Sequence, residues 1–349
     1  MRHIGVDLHK TNFVVCFLRD DETTHTETYP LTEAGVHRFI MQLEPGDEVA
    51  VEVTANIYYS HDRVKPRVSR IVLVDTYRFA IIAKSKEKTD KADAAALARF
   101  LKLDYLPGVS VPSGRVRTLR HLLQAGETLV GTRTKLKNMG HGALTRNGSA
   151  LPRSAFATEL SRARRSGRDD LTEADALIMA AAPRQIEELD KEIERLGNEI
   201  VRVGKGLAGV ERLLQVHGMN LLSAIALPAE IGDTHSFETS KQLTAYAGSA
   251  TCTRQSNEAT RHGSISKRGR KRLRTVAINT VLSMVSRTQT PLMEFYRKKK
   301  REKGAGKAIC ATARKLLTII FVMLKKESDY WYLEDRLYNR KLRLLDAAA

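Results

Sequence analysis

The sequence predicts an α/β domain followed by a mainly helical half, on three observations. Apolar runs of strand length are confined to the first 75 residues, three- and four-residue apolar spacing takes over from about residue 89, and the charge balance changes sign between the two parts. Residues 1–110 hold 15 Lys and Arg against 16 Asp and Glu, whereas residues 111–349 hold 43 against 24. The net charge of +18 therefore belongs to the second part, and residues 253–327 concentrate it, with 20 basic side chains against 4 acidic ones. Self-repulsion of that surplus opposes compaction until a polyanion neutralises it, so nucleic acid is the expected partner. A merely solvated basic face would have acids interspersed, and here they are nearly absent.

The elements follow in order. His3-Ile4-Gly5-Val6-Asp7 and Asn12 to Leu18 read as two strands joined by the polar turn Leu8-His9-Lys10-Thr11, a hairpin. Glu48 to Thr54 and Arg70 to Asp75 are further strand-like runs, separated by stretches long enough for helices, as in a partly parallel sheet. Thr89 to Leu103 has the spacing of a helix, with Ala94, Leu97, Ala98 and Leu101 on one side and Thr89 as its N-cap. Pro107 and Pro112 close this domain, at 1–110. Residues 111–206 read as a helical connection: a basic amphipathic helix or helical pair over 115–147, a Ser-, Arg- and Gly-rich loop over 148–170, then a seam at Ile186, Leu189, Ile193, Leu196, Ile200 and Val203. That seam fits a two-stranded parallel coiled coil, hence a homodimer, although a helix packed within its own chain would show nearly the same stripe. The last domain is placed at 207–330, opening with a helix-hairpin-helix-like stretch around His217-Gly218-Met219 and carrying two basic runs, Lys267 to Arg274 and Arg297 to Arg301. Residues 331–349 are expected as a tail. From these runs and the 115–147 helix, nucleic-acid contact is expected at Arg115, Arg117, Arg120, Lys267, Arg268, Arg270, Lys271, Arg272, Arg274, Lys298 and Lys299.

A chain of 349 residues exceeds one hydrophobic core, so two or three units are expected. No stretch reaches a membrane span and the N-terminus runs straight into a strand, so a cytoplasmic, nucleoid-associated protein with no membrane partner is expected. Cys16, Cys252 and Cys310 stand apart with no zinc or disulfide spacing and read as small buried hydrophobes.

Phosphodiester chemistry in a two-metal site needs converging carboxylates. Asp7 ends the first strand, Glu52 lies in the third run, and Asp90 and Asp93 share one face of a helix start. Oxygen ligands of this kind suit Mg²⁺ or Mn²⁺. Taken singly, Glu52 also fits the solvent side of an edge strand, and Asp90 and Asp93 also fit the helix dipole. Asp7, after Ile4-Gly5-Val6, is the hardest to explain without a partner or metal.

The segments Gly5-Val6-Asp7-Leu8-His9-Lys10, Val51-Glu52-Val53-Thr54 and Lys88-Thr89-Asp90-Lys91-Ala92-Asp93-Ala94 together resemble the DEDD constellation of RuvC-like domains in the DEDD transposases of bacterial insertion sequences. That group includes the Piv invertases and the bridge-RNA-guided serine recombinases. The resemblance covers nearly the whole chain, with one departure: Ala55 stands where the family commonly has Gly. It implies an RNase H-fold domain binding Mg²⁺ through Asp7, Glu52, Asp90 and Asp93, DNA as donor and target, a guide RNA in many relatives, and an assembly of dimers, a tetramer, that brings the two DNAs together. It further implies a serine nucleophile after a segment like Leu243-Thr244-Ala245-Tyr246-Ala247-Gly248, which falls on Ser256, with Ser264 as the rival. No His or Asp stands at useful spacing beside Ser256, so the metal site is expected to activate its hydroxyl. The expectation is a DNA transposase or site-specific recombinase; the alternatives are a resolvase-type nuclease using water, and a nucleic-acid-binding protein without catalysis.

Overall fold

The computed structural model describes residues 1–53, 57–75, 79, 89–148, 171–256, 259–285 and 287–347, with the side chains of 252–262 outside that description. The chain divides into two units, Met1–Val111 and Pro112–Ala349.

In the first unit, β1 (His3–Leu8) and β2 (Asn12–Leu18) form the expected hairpin, antiparallel from His3↔Leu18 to Leu8↔Phe13. β3 (Thr24–Pro30) continues the sheet antiparallel to β2. After α1 (Glu33–Ile40), β4 (Glu48–Glu52) lies parallel to β1; after α2 (Ile57–Val64), β5 (Arg70–Val74) lies parallel to β4. α3 (Asp90–Lys102) follows, and the short β6 (Gly108–Val109) closes the edge, giving the order β3-β2-β1-β4-β5-β6. β3 is not foreseen from the sequence because its run Thr-His-Thr-Glu-Thr-Tyr-Pro buries only Tyr29 as an apolar side chain. β6 is too short to leave a pattern.

Strand alternation gives the sheet two faces. Ile4, Val6, Leu8, Phe13, Val15, Phe17, Val49 and Val51 pack with Val36, Phe39, Ile57 and Val64 of the α1–α2 side. The opposite face, with Val14, Cys16, Leu18, Ala50 and Val74, is covered by Ala94, Leu97, Ala98 and Leu101 of α3. Gly5 makes that cover close: a Cβ there would lie 2.0 Å from the Ala94 carbonyl oxygen and 2.6 Å from the Ala98 amide nitrogen. Thr89 caps the helix by accepting from the Ala92 amide, as expected.

The second unit begins with α4 (Gly114–Arg146), one helix of 33 residues rather than a pair. α5 (Glu173–Gly204) runs antiparallel to it: Arg115 Nε donates to the Val203 carbonyl at 2.8 Å near one end, Arg133 pairs with Asp190 at 2.5 Å between, and Arg146 pairs with Asp175 at the other. The loop expected over 148–170 lies outside the described residues from 149 on. Of the expected seam on α5, Ile186 and Ile200 are buried within the chain, while Leu189, Ile193, Leu196 and Val203 are half-buried.

The remaining helices are α6 (Val210–Leu214), α7 (Leu221–Ile231), α8 (Ser240–Tyr246), α9 (Lys271–Val285), α10 (Pro291–Lys303), α11 (Ala305–Lys325) and α12 (Asp335–Ala347). Between α8 and α9 stands the antiparallel ribbon β7 (Thr251–Ser256) and β8 (Ala259–Ile265). Two expectations about boundaries need correcting. Leu119, Leu123, Ile200 and Val201 belong to the same core as Leu213, Ile225, Leu316 and Leu317, so 111–206 and 207–330 form one packed unit. The expected tail 331–349 contains α12, whose Leu345 enters that core. No described helix is long and apolar enough to cross a membrane.

Candidate active site

The acidic site grows out of β1 and β4. Parallel pairing ends at Val6↔Val51, so Asp7 and Glu52 are the next residues on neighbouring strands, both at carboxyl ends and both on the α3 side of the sheet. α3 starts there, bringing Asp90 and Asp93 in its first turn, where the helix dipole favours anions. Asp7 is buried, Glu52 and Asp93 are half-buried, and Asp90 is exposed.

The three-residue group able to surround an ion, among the described residues, is Asp7, His9 and Asp90, whose ligand atoms all lie within 4.8 Å of one another. His9 Nε2 stands 3.3 Å from Asp7 Oδ2 and 3.2 Å from Asp90 Oδ2. Glu52 and Asp93 do not join that tight group, yet their charges reach Asp7. Burial, opposed by His9 and reinforced by Glu52, Asp93 and Asp90, pushes the Asp7 carboxyl up to about 6. A buried acid among like charges, with a shielded imidazole nitrogen between two carboxylates, fits a divalent cation. The sequence reading took His9 as a turn residue. The signal that could have found it is its position two residues after Asp7, which carries a side chain back to the same side of an extended chain.

Of the two serines, Ser256 ends β7 opposite Ala259, a strand end rather than an open loop; its side chain lies outside the described residues. Ser264 is exposed and adjoins the Thr251↔Ile265 pair at the other end of the ribbon. Five residues of strand separate these ends, roughly 15 Å, so one bound phosphate can meet only one of them.

The basic residues divide into two kinds. Arg272 is nearly buried: its Nη1 donates to Glu230 and its Nε to Glu127 at 2.7 Å. Arg120 donates to the Ala229 carbonyl at 2.7 Å and the Glu230 carbonyl at 3.2 Å, meeting acceptors at the end of α7 that the helix itself cannot satisfy. Arg115 binds the Val203 and Lys205 carbonyls, and Arg274 the Ala247 carbonyl at 2.8 Å. These four side chains hold helix ends and loops within their own unit; a run of like charges cannot reveal acceptors far away in the chain. Arg270 bonds the Tyr246 hydroxyl at 2.9 Å, Lys299 pairs with Glu302 at 2.6 Å, and Arg117 is half-buried. Lys267, Arg268, Lys271 and Lys298 are exposed. Around Gly218, at φ +73°, the chain turns between α6 and α7, whose N-cap Asn220 accepts from the Ser223 amide.

Comparison with known proteins agrees with both halves. A DEDD-type IS110 model, described as transposase, matches residues 4–147, and the model of the transposase IS116/IS110/IS902 family matches residues 210–297. The chain is 26% identical over 351 residues to the probable family 20 transposase of Pseudomonas aeruginosa, covering 95% of this chain and 98% of that protein. It is 27% identical over 248 residues to the transposase for insertion sequence element IS1111A of Coxiella burnetii, covering 70% of this chain and 68% of that one.

Proposed function

The chain belongs to the IS116/IS110/IS902 family of insertion-sequence transposases, enzymes that cleave and rejoin DNA, and on that premise we propose how its residues divide the work. Asp7, Glu52, Asp90 and Asp93 hold Mg²⁺ or Mn²⁺ in an RNase H/RuvC-like domain. The observation that carries this reading is the convergence of acids from two adjacent parallel strand ends and one helix start around a buried Asp7. The strand order, with an antiparallel three-stranded meander and two further parallel strands, supports the same fold. When bound, the metal supplies activation of the attacking oxygen and stabilisation of the leaving one.

Ser256 is the nucleophile in this reading. Its hydroxyl gives up a proton as Oγ bonds to a DNA phosphorus, and the deoxyribose oxygen leaves and takes a proton, conserving the phosphodiester as a protein–DNA ester. Attack by another strand's hydroxyl on that ester releases the serine and rejoins DNA. Exposed Lys267, Arg268, Lys271 and Lys298 neutralise phosphates of DNA and of a guide RNA. The half-buried Leu189, Ile193 and Leu196 of α5 support assembly into a dimer or tetramer.

The test is a substrate nicked near its cleavage point, which traps the covalent adduct. The expected result is an adduct mapping to Ser256 and lost, with strand cleavage, in Ser256→Ala, while nucleic-acid binding persists. An adduct on Ser264 moves the nucleophile to the other end of the ribbon. Cleavage by Ser256→Ala without any adduct makes water the nucleophile and the protein a resolvase-type nuclease.

A further inference from the structure

The carboxylates of the proposed metal centre have a close neighbour of different chemistry in His9. Its backbone is held by the tight turn between β1 and β2, where the His9 amide donates to the Asn12 carbonyl at 3.0 Å. The imidazole is partly open to solvent, yet its Nε2 atom is shielded and, among the described residues, makes no hydrogen bond. Proximity to Asp7 Oδ2 and Asp90 Oδ2 without hydrogen-bond geometry is an unfavourable state for a buried polar atom.

The spacing resolves it. Neighbouring ligands of an octahedral ion held at about 2.1 Å stand roughly 3 Å apart, close to the 3.2 and 3.3 Å found here. An ion between the three atoms gives Nε2 a partner for its lone pair and removes the repulsion among the carboxylates. We propose that His9 Nε2 is a direct ligand of the divalent ion held by Asp7 and Asp90. Resting on the metal-centre reading of the preceding subsection, this adds a nitrogen to an otherwise oxygen donor set. Mg²⁺ takes oxygen donors, whereas imidazole nitrogen is a donor for first-row transition ions, so the site favours Mn²⁺ over Mg²⁺.

Pulsed electron paramagnetic resonance of Mn²⁺ on the full-length protein reads this without any need for catalysis. The expected spectrum shows modulation from a directly bound ¹⁴N nucleus, replaced by a ¹⁵N pattern when the protein is grown on ¹⁵N-histidine, a comparison that needs no variant. In His9→Ala and His9→Gln the modulation disappears, and Mn²⁺ affinity measured by calorimetry falls by at least the roughly 10- to 100-fold that loss of even a supporting partner costs a metal site. Mg²⁺ affinity falls less. Bound Mn²⁺ without nitrogen modulation in the wild type, or modulation that persists in both His9 variants, overturns the ligand assignment while leaving the carboxylate site intact. Asp7→Asn separates the two claims: Mn²⁺ affinity unchanged in that variant overturns the metal centre itself, and the His9 proposal with it.

Discussion

Asp7 in the first unit and Glu230 in the second are both buried carboxylates, 5% and 2% exposed, and they live in opposite company. Glu230 is met by Arg272, which also reaches Glu127, so its charge is compensated within its own unit. Asp7 is surrounded by three further acids, and the imidazole of His9 beside it is shared with Asp90. A buried charge balanced by the chain secures the fold. One left among like charges keeps its balance open for something that binds. The net charge of +18 cannot make that distinction, because it counts Arg272 and Lys271 alike.

The comparison is broken most strongly at Arg272. Replacing it with Ala leaves Glu230 only the more distant Arg270, at 3.8 Å, and loss of one member of a buried pair costs up to about 3–5 kcal/mol, readable as a lower midpoint in urea unfolding. A variant as stable as wild type, with a flatter salt dependence of DNA binding, would instead make Arg272 a phosphate contact.

At Asp7 the sign reverses. Its carboxyl is held at about 6 against an ordinary value of 3.8, so the folded state takes up its proton more readily than the unfolded one. Its contribution is fully present below about pH 4 and is lost as the pH rises through 6. Without metal, Asp7→Asn is therefore expected to be more stable than wild type at pH 7–8, by on the order of 2–3 kcal/mol. The gain shrinks toward zero near pH 4, while strand exchange is abolished. Thermal melts across that pH range check the first claim; equal melting temperatures at pH 8 would refute it.

Gly5→Ala sharpens the comparison by disturbing geometry rather than charge. The added methyl meets the backbone of α3 and is expected to cost about 1–3 kcal/mol. Because α3 carries Asp90 and Asp93, metal affinity should fall in the same variant, measurable by calorimetry. Unchanged affinity would show that the site adjusts independently of helix docking.

The smallest effect is expected at Lys271. Its replacement by Ala should leave stability within about 0.5 kcal/mol, as for an exposed surface change. It should also flatten the log-log salt dependence of DNA binding by about 0.9 for one phosphate contact. An unchanged slope would place Lys271 away from the nucleic acid.

The hairpin, β4, β5 and α3 were legible because each pairs an apolar pattern with a clear boundary, and Asp7 stood out because an acid closes an otherwise apolar strand. β3 and the β7–β8 ribbon were not, since Thr, His, Glu and Arg at alternating positions leave no apolar period; only pairing with a neighbour defines them. Four acids could be read as a set, but the order of closeness within it could not. The structure puts His9 nearer to Asp7 and Asp90 than sequence separation of acids alone would rank it, and it leaves Glu52 and Asp93 acting at longer range. The partners of Arg272 were hidden for the same reason: Glu127 lies 145 residues away, beyond any local pattern.

The paired helices α4 and α5 have a mechanical consequence. Leu119, Leu123, Ile200 and Val201 anchor one end in the large core, whereas Ala143, Leu144, Met179 and Ile186 form a separate small cluster toward the other. From Leu123 to Arg146 the helix spans about 35 Å at 1.5 Å per residue. A tilt of about 5° at the anchored end thus carries the far end through roughly 3 Å, a hydrogen-bond length, with little repacking at the base. The hairpin is a lever whose short arm is embedded in the unit that holds the β7–β8 ribbon, so a load applied at its far end is felt as torque on that core.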